Sequence, residues 1–244
     1  MADFKFPTEI VDLPSKGLVY PKENPLSSGQ VEMKYMTARE EDILTNINYI
    51  QKGIVIEKLL KSLIVSNINV DDLIIGDKNA LLIAARILGY GSEYSFNYYG
   101  EKHTIDLSKL KHKIIDESLF TQGKNEFSFT LPHTKTEVTF QLLTEKLEKN
   151  IDAELKGLSK INKDNIPEIS TKMKYIITSV EGNRDKKTIN EFVDNHLLAR
   201  DAKALRDYIV LIQPDVDLST EIEINDEKIE IEVPISSNFF FPNE

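Results

Sequence analysis

Cysteine and tryptophan are absent from this chain of 244 residues. Without cysteine there is no disulfide and no thiolate metal ligand, so packing alone must hold the fold, as suits a reducing compartment. Histidine is scarce: His103, His112, His133 and His196 are the four. No two stand at i, i+4 on a predicted helix and no His-Glu-x-x-His occurs, so each is expected at the surface or in packing. Basic residues are the minority, 30 against 40 acidic, giving a net charge of −10. A protein that coats DNA or RNA takes most of its affinity from lysine and arginine, so no nucleic-acid partner is expected. No apolar run approaches the roughly 20 residues of a membrane helix. The longest, 80–88 (ALLIAARIL), reads as a buried helix, and the start MADFKFPTEI lacks a basic-then-apolar leader pattern. A soluble intracellular chain with no membrane partner is expected.

Catalytic signatures are missing as well. G-x-S-x-G, the Walker A loop and G-x-G-x-x-G do not occur. Gly89-Tyr90-Gly91 follows a predicted helix, whereas a phosphate cradle precedes one. Carboxylates are plentiful but spread over helix starts and alternating strands, and no pair stands out as a hydrolytic couple. No enzyme activity, cofactor, metal or small-molecule substrate is expected.

What is present is an alternation of turns, helices and hairpins. Residues 1–35 carry Pro7, Pro14, Gly17, Pro21, Pro25 and Gly29, which predict an extended arm, ending in the alternating strand QVEMKYM. MTAREEDILT (36–45) then places Thr37 and Glu40 at capping-box spacing, with Glu40, Glu41 and Asp42 in the dipole-favoured first turn. Ile43, Ile47 and Ile50 continue at helical spacing. Further helices are predicted over 54–65 and 78–88, then a hairpin over 93–107. A second hairpin is predicted in FSFTLPHTKTEVTFQLL, and Thr144 precedes an amphipathic helix carrying Leu147, Ile151, Leu155 and Leu158. NKDNIP (162–167) is the best boundary. Helices over 171–181, 186–197 and 201–212 and a terminal hairpin, EIEI–NDE–KIEIEV, complete the chain.

The end resembles the middle. An offset of 124 matches Asp77 with Asp201, Ala80 with Ala204, Leu81 with Leu205, Ile105 with Ile229 and Leu107 with Ile231. The expected fold is α+β: two related helix-plus-β-hairpin units with a central β-hairpin and a long amphipathic helix. The segments are 1–35 (arm and strand), 36–110 (first helical unit with hairpin), 111–170 (central hairpin and helix) and 171–244 (second helical unit with terminal hairpin). Near the end, SNFFFP sets Phe239, Phe240 and Phe241 in a row. Three consecutive phenylalanines cannot all face one core from a strand, so a core role and a partner-docking role both stand.

Taken in order, LPSKGLVYP (13–21), MTAREEDIL (36–44), IGDKNALLIAARILGYG (75–91), VDNHLLARDAKALRDYI (193–209) and FFFP resemble one family, the bacteriophage baseplate proteins of T-even-like contractile-tailed phages. Its members include baseplate hub subunits and a hub assembly factor. The resemblance spans both ends of the chain and is loose over 110–170. It implies a protein of tail morphogenesis that binds hub and tape-measure proteins in the host cytoplasm, with no catalytic residues. The implied role is an assembly factor or chaperone. A permanent structural subunit of the hub, in the virion tail baseplate, is the alternative, and a nucleic-acid-binding ribbon protein a third. Relatives often carry cysteine pairs in their hairpins, like zinc ribbons; here the tips are YYGEKH and INDEKI, so Tyr98, Ile105, Ile222 and Ile229 are expected to supply that packing. If MTAREEDIL is a family signature, capping by Thr37 and Glu40 leaves Arg39 and Asp42 unexplained, and the outward side of the turn is Arg39, Glu41 and Asp42. These three, with Phe239, Phe240 and Phe241, are the candidate partner-binding residues.

Overall fold

The computed structural model describes residues 7–161, 166–224, 227–235 and 239–240. Strand β1 (Thr8–Asp12) pairs antiparallel with β2 (Gln30–Lys34). Then come α1 (Ala38–Leu44), α2 (Ile47–Lys52), α3 (Val55–Leu63) and α4 (Ile75–Tyr90). A hairpin of β3 (Glu93–Tyr98) and β4 (Glu101–Asp106) follows. After the short β5 (Lys111–His112) come β6 (Phe127–Thr130), β7 (Glu137–Phe140), α5 (Glu145–Ile161), α6 (Glu168–Ile176), β8 (Ile177–Val180), α7 (Lys186–Asn195) and α8 (Ala199–Ile212). The short β9 (Val216–Asp217) pairs with β5, and β10 (Ser219–Ile224) with β11 (Glu227–Glu232) forms the last hairpin. The fold is α+β. Among the described residues no helix is long and apolar enough to cross a membrane.

The two halves repeat one design, and strand pairing gives the alignment independently of sequence identity. In β1–β2, Val11 faces Val31; in β6–β7, Phe129 faces Val138. Offsets of 118 and 107 for the two strands reproduce that register throughout. A third position then joins each pair: Met33 bridges Ile64 just after α3, and Phe140 faces Ile177 just after α6. With Met33 and Phe140 related by 107, α3 and α6 are related by 113. Both halves then enter a long helix from an extended residue without a side-chain cap, Ile74 before α4 and Leu198 before α8.

The deepest shared feature ties that helix to the turn after the first strand. Asp77 and Asp201 are both third in their helices and both fully buried. The Ser15 backbone N–H donates to Asp77 Oδ1 at 2.9 Å, and the His133 N–H donates to Asp201 Oδ1 at 2.9 Å. Each donor follows a Leu-Pro pair, Leu13-Pro14 and Leu131-Pro132. Gly17 takes φ +78° in the first turn, and Lys135 at the equivalent place takes φ +60°. A Cβ on Gly17 would lie 2.4 Å from the Ser27 carbonyl oxygen, so glycine is required there; the shorter second loop admits lysine.

These pairings redraw the expected segments. Residues 8–34 are not an arm: Leu13, Val19, Tyr20, Leu26, Val31 and Met33 are buried in the core. The segment belongs to the first unit, as the β6–β7 hairpin belongs to the second. The helix predicted over 171–181 ends at Ile176, because β-branched Ile177 and Val180 pair with β7. The helix begun by MTAREEDILT breaks at Thr45, and Asn46 caps a new one; Ile47 and Ile50 point to solvent. The helices predicted from 78 and 201 start earlier, at Ile75 and Ala199, which makes Asp77 and Asp201 third-position acceptors. The hairpins align at 126, not 124: their closing pairs are Tyr98–Glu101 and Ile224–Glu227. α8 is two residues shorter than α4 and its connection to the hairpin four residues longer, a net shift of two, so Ile105 corresponds to Ile231. The NKDNIP boundary lies outside the described residues for 162–165.

Candidate functional site

The α1 turn is built from the chain's leading candidates. Thr37 and Glu40 form the expected capping box. Glu40 is fully buried: the Thr37 N–H donates to Oε2 at 2.9 Å, the Ser62 hydroxyl to Oε1 at 2.6 Å and Lys34 Nζ to Oε1 at 2.9 Å. Burial alone would push its carboxyl pKa up, but these donors outweigh it and bring the value down to about 2. Glu40 is thus a structural acid inside the fold. Arg39, Glu41 and Asp42 project outward and are exposed. Glu41 lies beside Tyr90 at the end of α4, where burial and then the Glu41 carboxylate raise the phenol pKa. Arg39 and Asp42 have no hydrogen bond or ion pair with any described residue.

The phenylalanine run behaves differently. Phe239 is 1% exposed and packs edge-on against Tyr94 at 5.2 Å, while Phe240 is buried against Phe239. Tyr94 in turn donates its hydroxyl to the Pro234 carbonyl at 2.8 Å. The expectation that Phe239 and Phe240 stand free as docking anchors is therefore corrected: the first unit's hairpin already covers them. Phe241 lies outside the described residues. Among the residues expected to replace metal, Ile222 is buried, Tyr98, Ile105 and Ile229 are half-buried, and no acid–histidine cluster among the described residues could hold an ion. His103 lies in the same hairpin, near the rings of Phe96 and Tyr98.

Where the two units meet, α5 lies over a cleft in the first unit. Its floor is Ile54, Ile56, Glu57, Ile75 and Lys78, its volume about 510 Å³, and α5 walls one side with Glu145, Glu148, Lys149 and Asp152. Backbone pairing sets the entry: the Ile75 N–H donates to the Leu143 carbonyl at 3.0 Å and the Glu145 N–H to the Leu73 carbonyl at 2.8 Å. These are the first amides of α4 and α5, groups a helix leaves unpaired. Lys78 lies 2.5 Å from Glu145, without hydrogen-bond alignment, and 3.2 Å from Glu148. Lys149 reaches Glu57 at 2.8 Å and Asp71 at 2.6 Å. Burial alone would lower the Lys78 pKa, but the facing carboxylates raise it; Glu57, between Lys149 and Lys61, falls to about 2.

Close backbone approach completes this interface. A Cβ at Gly76 would lie 1.8 Å from the Pro214 carbonyl oxygen, and Asn79 donates to Asp215 at 3.1 Å. Sequence reasoning found the outward residues of α1 but missed this interface and the Ser15–Tyr20–Asp77 cluster. The available signal was the second Leu-Pro pair, which lies at an offset of 118 and so drops out of a search at 124. No family model, curated protein or solved structure matches the chain.

Proposed function

We propose that this protein is an assembly factor for a phage tail baseplate hub, acting by binding hub and tape-measure components and holding them in a form competent to assemble. The observation that carries the reading is at α1. Capping is satisfied by Thr37 and Glu40, and Arg39 and Asp42 remain outward, charged and without a partner among the described residues. Such a face suits a specific, reversible contact, in which charge sets orientation and encounter rate more than raw affinity. The ordered motifs that resemble baseplate proteins supply the choice of partner. The work of the molecule is then recognition, not bond chemistry.

Charge reversal tests the reading. Arg39→Glu with Asp42→Lys is expected to weaken capture of tail proteins from infected cells at least tenfold, with the thermal melt nearly unchanged. A large fall in melting temperature with capture intact contradicts it, because the residues would then be structural.

A further inference from the structure

The cleft that α5 walls in the first unit has a counterpart in the second that lacks such a wall. Applying the offsets of 113 and 124 turns Ile54, Ile56, Glu57, Ile75 and Lys78 into Pro167, Ile169, Ser170, Ala199 and Ala202. All five of those residues line one real cleft of about 530 Å³. The wall that α5 supplies to the first cleft has no counterpart at the second: Ile74, bridged to Thr144 just before α5, is 1% exposed and its counterpart Leu198 51%. The first amide of α8, on Ala199, has no hydrogen bond to a described residue, whereas its counterpart on Ile75 is paired to Leu143.

The first unit carries the matching insert, also unused. The α5 face that enters the first cleft is Glu145, Glu148, Lys149 and Asp152. The offset of 107 maps it onto Ala38, Glu41, Asp42 and Thr45 of α1, all four exposed. The Ala38 amide, counterpart of the Glu145 amide that donates to Leu73, has no partner among the described residues. Glu41 and Asp42 on the insert are opposite in charge to exposed Arg200 and to Lys203, which also pairs with Asp207 in α8, while the cleft lining carries one acid, Glu168.

We infer that the second-unit cleft receives α1 of a second copy of this chain, repeating between molecules the contact that joins the two units within one. The insert and the cleft are different surfaces, so the contact is head-to-tail and extends into a ring or a filament instead of stopping at a symmetric dimer. Arg200 stands where Gly76 allows close approach to Pro214. In the intermolecular contact it faces the carbonyl end of the neighbour's α4, where a cation is favoured. The inference rests on the reading of α1 as a protein-binding face and goes beyond it in the occupant, a second copy of the chain in place of a tail protein.

Sedimentation over a dilution series of the full chain tests it, together with crosslinking. Lys149 meets Glu57 in the first interface, and the same offsets name Asp42 and Ser170. The chain has no cysteine, so Asp42→Cys and Ser170→Cys each create a single thiol. A short bismaleimide is expected to link the two variants when mixed, and to link neither variant to itself. The mass of the unmodified protein is expected to rise with concentration. Glu41→Arg with Asp42→Arg on the insert, or Ile169→Arg on the cleft, abolishes that rise. A protein that stays monomeric at every concentration, with no mixed crosslink, overturns the inference. If it does so while Arg39→Glu with Asp42→Lys still weakens capture of tail proteins, the binding reading of α1 stands and only the second-copy occupant falls.

Discussion

Asp77 and Asp201 stand 124 residues apart and hold the same hydrogen bond: each, third in its helix, accepts on Oδ1 the backbone N–H of the residue after a Leu-Pro pair at 2.9 Å. A helix N-terminus leaves its own amides free and favours an anion, so a buried carboxylate there can serve the helix and the turn together. The lock fixes the first strand of each unit against its last helix. It is the clearest mark that the chain contains one structural design twice.

The two locks differ in load. Asp77 also accepts from the Ser15 and Tyr20 hydroxyls, both at 2.6 Å, whereas Asp201 accepts a second backbone amide from Thr134 at 3.1 Å. Removing Asp77 strands buried donors, whereas the two amides that Asp201 accepts belong to exposed residues, His133 and Thr134. Asp77→Ala is expected to cost about 3–5 kcal/mol and Asp201→Ala about 2 kcal/mol, read by denaturant unfolding. Equal losses, or a milder Asp77→Ala, would contradict the pairing described.

Two glycines in helices should respond to alanine with opposite sign. Gly157 in α5 has open space around its missing Cβ, so Gly157→Ala is expected to stabilise by about 0.5–1 kcal/mol. Gly76 presses on the Pro214 backbone, and Gly76→Ala is expected to destabilise by at least about 1–3 kcal/mol. Thermal melts of the two variants decide it.

Acid should weaken the fold through Glu40 and Glu57. Both have folded pKa values of about 2, below the 4.5 of the free side chain. Their stabilisation is therefore complete above about pH 4.5 and is lost as pH falls toward 2. Glu40→Gln is expected to flatten the slope of stability against pH in that window. Asp77 has the opposite sign: burial raises its pKa above 3.8, so its proton is held more tightly in the folded chain and its ionisation opposes folding. An unchanged acid slope in Glu40→Gln would contradict the burial of its carboxylate among four donors from Lys34, Thr37 and Ser62.

Phe239→Ala is expected to act on the fold itself. The ring is buried against Tyr94, and its removal should cost about 3–5 kcal/mol with a matching fall in melting temperature. Lost partner capture with an unshifted melt would restore the docking role.

Much of this was legible in the sequence, and the failures share a cause. The capping box, the β3–β4, β6–β7 and β10–β11 hairpins and the long helices are local, so spacing and turn residues announce them. The duplication was visible through Asp77 and Asp201 because α4 and α8 start alike. Its true extent was hidden because insertions shift the offset along the chain, from 118 at the first strand to 107 at the second and 126 at the hairpin. Proline and glycine in residues 7–29 suggested an arm; what buries that segment is pairing and packing with β2 and α4, which no local pattern reports. For the candidate site, the outward direction of Arg39, Glu41 and Asp42 followed from capping. The burial of Phe239 and Phe240 did not, since Tyr94 lies far away in the chain.

The most direct test of the proposed role is quantitative mass spectrometry of purified mature virions beside baseplate intermediates from infected cells. An assembly factor is expected in the intermediates and missing from the virions. A fixed copy number in mature virions would contradict that role and make the protein a permanent subunit of the hub; its absence from both would contradict the baseplate reading altogether.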